Sequence, residues 1–351
     1  MNLTIVIRHF YPFTRPSGVI SFIRSLVNKL HKNNTSVSII CIKRKGEKSY
    51  YDYNGVKVYK FPQLNLPMYR SLLKKTHPDH VLFISSMPKA SEIFSWWGVL
   101  RLFTIGYKTD FYQTTNFFNL KKNFFLNVFL KSFKIVFSAS NAIQSDLKKF
   151  AGINSQIIYP GTEFPPNVTL KKQSISNLGF SGHIVAAKGI DLFVKLSEQF
   201  PKLHFFLLAG KTKTQKNTQL EDYIERKSKE LKNLTLFGFM DHPLDVMSKC
   251  DVLILPYRHG GAILGTAQSA IEAMSMGIPV IGTDNSALSS ILKDNYNGLV
   301  AKPHLADIKK KINLLIKNRN LYNRLSKNAR ITVEKKFDIS KISICLLNHL
   351  K

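Results

Sequence analysis

One segment of this 351-residue chain brings together residues suited to holding a polyhydroxylated anion. Asp251-Val-Leu-Ile-Leu-Pro256-Tyr257 is a short apolar run behind an acid and ended by proline, the pattern of a strand buried on both faces of a parallel sheet. His259-Gly260-Gly261-Ala-Ile-Leu264-Gly265 follows, and its three glycines let main chain approach a ligand closely. Thr266 to Met276 then reads as a helix stopped by Gly277, and Pro279 to Gly282 opens the next buried strand. On that helix Glu272 can take the two hydroxyls of a ribose. The loop amides and the helix N-terminus face negative or hydroxyl-rich groups.

A second constellation lies upstream, where Gly182-His183 closes a strand and Lys188-Gly189-Ile-Asp191 opens a helix. A lysine at such a turn can neutralise a departing diphosphate, the main electrostatic task when no metal is bound. Most lysines are solvated surface residues, so position in the pattern singles out Lys188. A phosphate contact from His183 would vary with pH near the ordinary histidine value of ~6.5.

These residues resemble the donor site of glycosyltransferase family 4, the retaining GT-B enzymes. Its pattern there is two glutamates separated by seven residues, followed by Ala-Met and Gly-x-Pro-Val-Ile, matched here by Glu272-Ala-Met and Gly277-Ile-Pro-Val-Ile. Gly182-His183 with Lys188-Gly189-Ile-Asp191 resembles the Gly-Arg and Lys-Gly-x-Asp segment, His183 standing for the usual arginine. Ile157-Ile-Tyr-Pro-Gly161-Thr-Glu163 is similar to the domain junction, Phe137 to Leu147 to the strand and helix before it, and Asn295 to Val300 and Asn328-Ala-Arg330 to the C-terminal pattern. The likeness runs in family order through most of residues 130 to 340 and is looser before that.

The resemblance implies an α/β chain of GT-B type, with two Rossmann-like doubly wound domains facing across a cleft. Residues 1–168 would form the acceptor-side domain, 169–335 the nucleotide-sugar-binding domain, and 336–351 a C-terminal helix returning to the first. It also implies retaining transfer from a nucleotide diphosphate sugar, with no cofactor and no metal, to a glycan or lipid-linked acceptor in polysaccharide or lipopolysaccharide synthesis. Lys188 and His183 would be the catalytic groups. Glu272, Gly260, Gly261, Gly265, Gly238 and Gly18 would bind the donor, Gly238 in the base-recognition region and Gly18 in a loop near phosphate and acceptor. Relatives often carry a His-Asp pair after an N-domain strand. The comparable stretch here, Gly106-Tyr-Lys-Thr-Asp110, offers only Asp110 as a catalytic candidate, against the alternative of an N-cap or turn aspartate. Leu264 stands where the family has its first glutamate, held to contact the donor sugar; Gln268 and Asp284 are the polar replacements at hand. A catalytically silent GT-B scaffold or partner subunit, and a sugar-nucleotide epimerase, are the competing readings.

Composition bounds the partners. Fifty-one Lys and Arg against 22 Asp and Glu give a net charge of +29, a field that attracts anionic lipid, acidic glycan or nucleic acid. Nucleic acid is disfavoured because the basic residues form no recognised binding motif, and biased composition accounts for part of the excess. An anionic membrane surface is the preferred partner. No run approaches the ~18 apolar residues of a membrane span, and Met1 to Arg8 reads as a first strand, not a signal peptide. The expected location is cytoplasmic, peripheral on the inner face of the membrane. Cys41, Cys250 and Cys345 have neither disulfide nor metal spacing.

The elements that must position the site follow from periodicity. Strands are expected at Leu3 to Ile7, Val37 to Ile42, Val56 to Phe61, His80 to Ile84, Leu102 to Ile105 and Ile135 to Ser138, with a helix over Val19 to Leu30 and a hairpin at Asn54-Gly55. Tyr159 to Asn177 has linker composition, after which strands and helices alternate again. Phe117 to Phe133 carries a polar stripe, Asn116, Asn119, Asn123, Asn127 and Lys131, beside a wide apolar face. That pattern suits a core-facing helix or one lying on a membrane.

Overall fold

The computed structural model describes residues 1–10, 17–63, 65–86, 97–115, 124–165, 174–211, 218–240, 243–258 and 267–351. Two sheets organise them. The first contains β1 (Asn2–Ile7), β2 (Ser36–Ile42), β3 (Tyr50–Tyr53), β4 (Val56–Phe61), β5 (His80–Ser85), β6 (Lys108–Gln113), β7 (Val136–Ser138) and β8 (Gln156–Ile157), in the order β3-β4-β2-β1-β5-β6-β7-β8. Every pairing is parallel except the β3–β4 hairpin, where Asn54 and Gly55 take φ of 52° and 83° as a tight two-residue turn requires. The second contains β9 (Asn177–His183), β10 (His204–Gly210), β11 (Leu234–Leu236), β12 (Val252–Leu255), β13 (Val280–Thr283) and β14 (Leu299–Ala301), all parallel, in the order β11-β10-β9-β12-β13-β14.

Both orders reverse direction once, at β1 between β2 and β5 and at β9 between β10 and β12. Loops on either side of such a reversal diverge and leave a crevice outside the carboxyl ends of the strands. Gly18–Lys32 begins beyond the end of β1 and Ala186–Lys188 beyond the end of β9, so each crevice receives a helical start.

The helix Ile339–Leu350 packs into the first core although it follows the second sheet in sequence. Ile339, Ile342, Leu346 and Leu350 join the cluster built on β1, β2 and Gly18–Lys32. The chain crosses at Thr162, whose amide donates to the Phe337 carbonyl at 2.9 Å and whose carbonyl accepts from Ile339 N at 3.1 Å.

One sequence expectation fails here. Leu102 to Ile105 is not a strand: Val99–Leu102 is a short helix followed by turns, and the strand is Lys108–Gln113. Its sequence, Lys-Thr-Asp-Phe-Tyr-Gln, lacks an apolar run, yet every residue after Lys108 is buried because the strand lies between β5 and β7. The Tyr112 hydroxyl donates to the Ile158 carbonyl at 2.6 Å and Gln113 Nε2 to the Thr115 carbonyl at 2.9 Å, bonds that offset burial and that apolar content alone could not reveal.

Because Leu346 is 2% exposed within the first core, Leu346→Ala should destabilise the protein by about 2–5 kcal/mol. A denaturant titration followed by a probe in the first domain checks this; an unchanged midpoint would mean the returning helix is not part of that core.

Candidate active site

A cavity of about 460 Å³ lies between the carboxyl ends of the two sheets, within the usual range for small-molecule sites. Gly18, Ser21, Thr114 and Thr115 line it from the first domain; Gly182, His183, Lys188, Gln268 and Glu272 line it from the second.

Glu272 sits on the helix Gln268–Ser275 and is 6% exposed. The Ser21 hydroxyl, on the helix Gly18–Lys32, donates to Glu272 Oε1 at 2.6 Å across the domain boundary. Burial drives the Glu272 carboxyl up to about 7, with hydrogen bonds from Ser21 and Gln268 opposing the rise. A carboxyl poised near neutrality and already holding one hydroxyl is suited to receive a diol. One turn earlier, Gln268 donates through Nε2 to the Gly161 carbonyl at 3.0 Å. Its Oε1 is buried without a hydrogen-bond partner. Gly18 is required by this packing, since a Cβ there would stand 2.8 Å from Gln268 Cβ.

The lysine of the second constellation is held from two sides. Lys188 ends the 3-10 turn Ala186–Lys188, and Gly189 follows at φ 62°, a left-handed conformation costly for other residues. A side chain at Gly189 would also run into the Pro256 carbonyl. Arg258 clamps the turn. Its guanidinium donates to Asp191 Oδ1 and Oδ2 at 2.7 and 2.6 Å and to the Ala186 carbonyl at 2.6 Å, while its amide donates to the Ala187 carbonyl at 2.8 Å. A bidentate arginine–carboxylate pair fixes orientation as well as distance. Lys188 Nζ lies 5.7 Å from the centre of the Tyr257 ring, on the cavity wall. His183 closes β9 and meets the Phe239 ring edge-on at 5.6 Å, beside Gly238 at φ 71°.

The structure thus brings Lys188, His183, Glu272, Gly238 and Gly18 to one cavity. Gly260, Gly261 and Gly265 lie outside the described residues, as does Leu264. Asp110 is not a cavity residue. It is fully buried in β6, three residues before the strand reaches Gln113, where Oδ2 is 3.1 Å from His80 Nδ1 and Oδ1 accepts from Ile135 N at 3.1 Å. Burial raises its carboxyl above the ordinary aspartate value, against the pull of His80. It ties β5 and β6 to the start of β7, away from the cavity lining. Asp251, at the head of β12, is likewise structural: Oδ2 accepts from Ser176 N and Asn177 N, both at 2.7 Å. Of the two polar replacements near Leu264, Gln268 reaches the cavity, whereas Asp284 is exposed and lines a different depression.

Ser21 and Arg258 escaped sequence reasoning. Ser21 carries no motif and acquires its role only when the domains meet. Arg258 had one signal: a charge three residues past a buried strand, with a family-pattern aspartate, Asp191, elsewhere to receive it.

Two outcomes follow. Unfolded chain loses the Glu272 proton near 4.5 whereas folded protein keeps it to about 7. This group therefore favours folding at acid pH, and its contribution, on the order of 3 kcal/mol, is lost as pH rises through that window. Glu272→Gln should flatten the stability profile of ligand-free protein between pH 5 and 8, measured by urea titration; an identical profile would contradict the assignment. Asp110→Ala leaves His80 and Ile135 N unpaired in the core and should cost about 2–4 kcal/mol, with nucleoside diphosphate affinity by calorimetry unchanged.

Comparison with known proteins agrees with the geometry. Residues 166–332 match the model of the family described as glycosyl transferases group 1. An uncharacterized glycosyltransferase of Methanocaldococcus jannaschii is 30% identical over 211 residues, 57% of this chain and 53% of the relative, so the match spans about half of that protein. Among solved structures, a glycosyltransferase from Rickettsia africae aligns over 100% of this chain and 98% of its own at TM-score 0.78 and 17% identity. Sucrose-phosphate synthase from Thermosynechococcus elongatus aligns over 99% and 98% at TM-score 0.76 and 16% identity. Anabaena HepE, solved with UDP and glucose, aligns over 100% and 99% at TM-score 0.75 and 13% identity. The fold is GT-B, two Rossmann-like domains facing across a cleft.

Proposed function

We propose that this chain is a retaining glycosyltransferase that moves a sugar from a nucleotide diphosphate donor to a hydroxyl of a glycan or lipid-linked acceptor. The observation that carries the reading is the Ser21 hydroxyl on Glu272 at 2.6 Å inside the interdomain cavity. That carboxyl is placed to exchange a protein hydroxyl for the hydroxyls of a ribose. Binding of UDP and glucose by the structurally similar HepE is consistent with this.

In the proposed reaction the donor's ribose rests on Glu272 and its diphosphate faces Lys188 and the Ala186–Lys188 turn. The bond between the anomeric carbon and the diphosphate oxygen breaks, and the acceptor oxygen forms its bond to the same face of the sugar and passes its proton to the departing diphosphate oxygen. Negative charge grows on the departing diphosphate, and a preorganised ammonium stabilises that charge most where it is greatest. His183 adds a second polar contact at the end of β9, and the metal-independent reading assigns the electrostatic work to these groups. Gln268 Oε1, buried and lacking a donor, is suited to a hydroxyl of the ligand. Thr114 and Thr115 give the acceptor wall hydroxyl partners. Cell-surface glycan synthesis at the inner membrane face is the setting that the basic charge favours.

A thermal-shift panel of nucleoside diphosphates and nucleotide sugars identifies the donor, since a ligand selective for folded protein raises Tm. With that donor, Lys188→Ala should reduce kcat on the order of 100-fold and weaken donor binding less. Normal turnover in the variant would remove Lys188 from catalysis. Donor binding with no transfer to any membrane-extract acceptor would instead favour the silent scaffold.

A further inference from the structure

The four most exposed large apolar side chains of the described residues all belong to the first domain. Phe124 and Ile105 are each 75% exposed, Phe125 is 68% and Leu102 is 65%. Val128, 52% exposed, lies one turn from Phe124 on the helix Phe124–Lys131. The opposite side of that helix is conventional core: Leu126, Phe129 and Leu130 are buried, and Asn127 turns to the neighbouring helix, donating to the Ala151 carbonyl at 2.5 Å. This corrects the expected stripe, whose Asn127 faces protein while phenylalanines face out. Residues 116–123, including Asn116, Asn119 and Asn123, lie outside the described set.

The two segments that carry them touch. Arg101, adjacent to Leu102, donates to the Ser132 carbonyl at 2.7 Å, and its guanidinium lies 5.4 Å from the centre of the Phe133 ring. Cations border the apolar groups: Lys108, Lys131 and Lys134 are exposed and Arg101 is half-buried. Residues 97–109 and 124–138 contain no Asp or Glu. Asp110, the nearest acid in sequence, is fully buried.

Aromatic and aliphatic side chains standing out beside the exposed Lys108, Lys131 and Lys134 match one partner in both respects, the surface of an anionic bilayer. Such a surface offers hydrocarbon to the apolar groups and phosphate to the lysines. We infer that the face formed by Leu102, Ile105, Phe124, Phe125 and Val128, with its bordering lysines, docks this protein on anionic membrane. Among the described residues no helix is long and apolar enough to cross a membrane, and docking of this kind is interfacial. The face belongs to the domain that also supplies Thr114 and Thr115 to the cavity, so docking sets the acceptor wall relative to the lipid surface. The inference deepens the membrane setting of the proposed function, yet vesicle binding requires neither donor nor turnover, so either can fail alone.

The test is co-flotation with vesicles of phosphatidylcholine alone or with about one third phosphatidylglycerol, at ~0.05 and ~0.5 M salt. The native chain should float with the anionic vesicles at low salt and partly at high salt, because screening weakens charge but not apolar insertion. Phe124→Asp with Phe125→Asp should lower the bound fraction on the order of tenfold, with Tm and the nucleoside diphosphate shift unchanged. Undiminished flotation of the variant would overturn the inference by placing attachment elsewhere. Failure of the native chain to float would overturn it as well. So would a native dimer in sedimentation velocity that the variant dissociates, since the face would then be covered by a second copy.

Discussion

The hydrogen bond between Ser21 and Glu272 sets the terms for the rest of the molecule. It joins a helix of one domain to a helix of the other, and it does so with a carboxyl removed from water. A buried carboxylate is costly unless hydrogen bonds or protonation offset the lost hydration. Here a proton held to about 7 and the Ser21 hydroxyl share that task. A ligand offering two hydroxyls would provide more donors to the ionised form than one serine does. Ligand entry would thereby exchange an interdomain contact for a ligand contact, and link occupancy of the cleft to the relative freedom of the domains.

Around that contact the architecture is a set of devices for fixing helix starts against strand ends. Gly18 lets the first helix approach Gln268, and Gly189 lets the lysine-bearing turn approach Pro256. Arg258 then joins the turn after β9 to the loop after β12 through Asp191 and two carbonyls. Behind the helix of Glu272, Arg330 donates to the Ser275 carbonyl at 2.9 Å and its guanidinium lies 5.4 Å from the Phe164 ring. Arg330 of the Asn328-Ala-Arg330 segment thus braces the helix that carries Glu272. With Ile339–Leu350 embedded in the first core, the cleft, the junction at Thr162 and the returning helix tie the two domains together.

Where the sequence was legible, local chemistry and burial agreed. Val252–Leu255 is an uninterrupted apolar strand and was found to the residue; Asn54-Gly55 could hardly be anything but a tight turn. Lys188 and Glu272, both on the cavity wall, stand out in the sequence because strand, turn and helix signals surround them. Lys108–Gln113 was missed because its burial arises from its neighbours β5 and β7 and not from its own composition. The setting of Asp110 is hidden for the same reason: its partner, His80, is brought to it by strand pairing. Ser21 belonged to no pattern, and its role is a property of two domains in contact. The outward phenylalanines of Phe124–Lys131 were ambiguous, since helical spacing shows that a face is apolar but not whether protein covers it.

The central claim is that Glu272 gives up Ser21 to take the ribose of a nucleotide. Calorimetry with a nucleoside diphosphate and its 2′,3′-dideoxy analogue, on native protein and on Glu272→Ala, tests it most directly. The account predicts that native protein prefers the ribose form by about 1.5–3 kcal/mol, as for hydrogen bonds to a charged group, and that the variant binds both forms alike. An equal preference in native protein and variant would contradict it, because the hydroxyls would then be held by some other group.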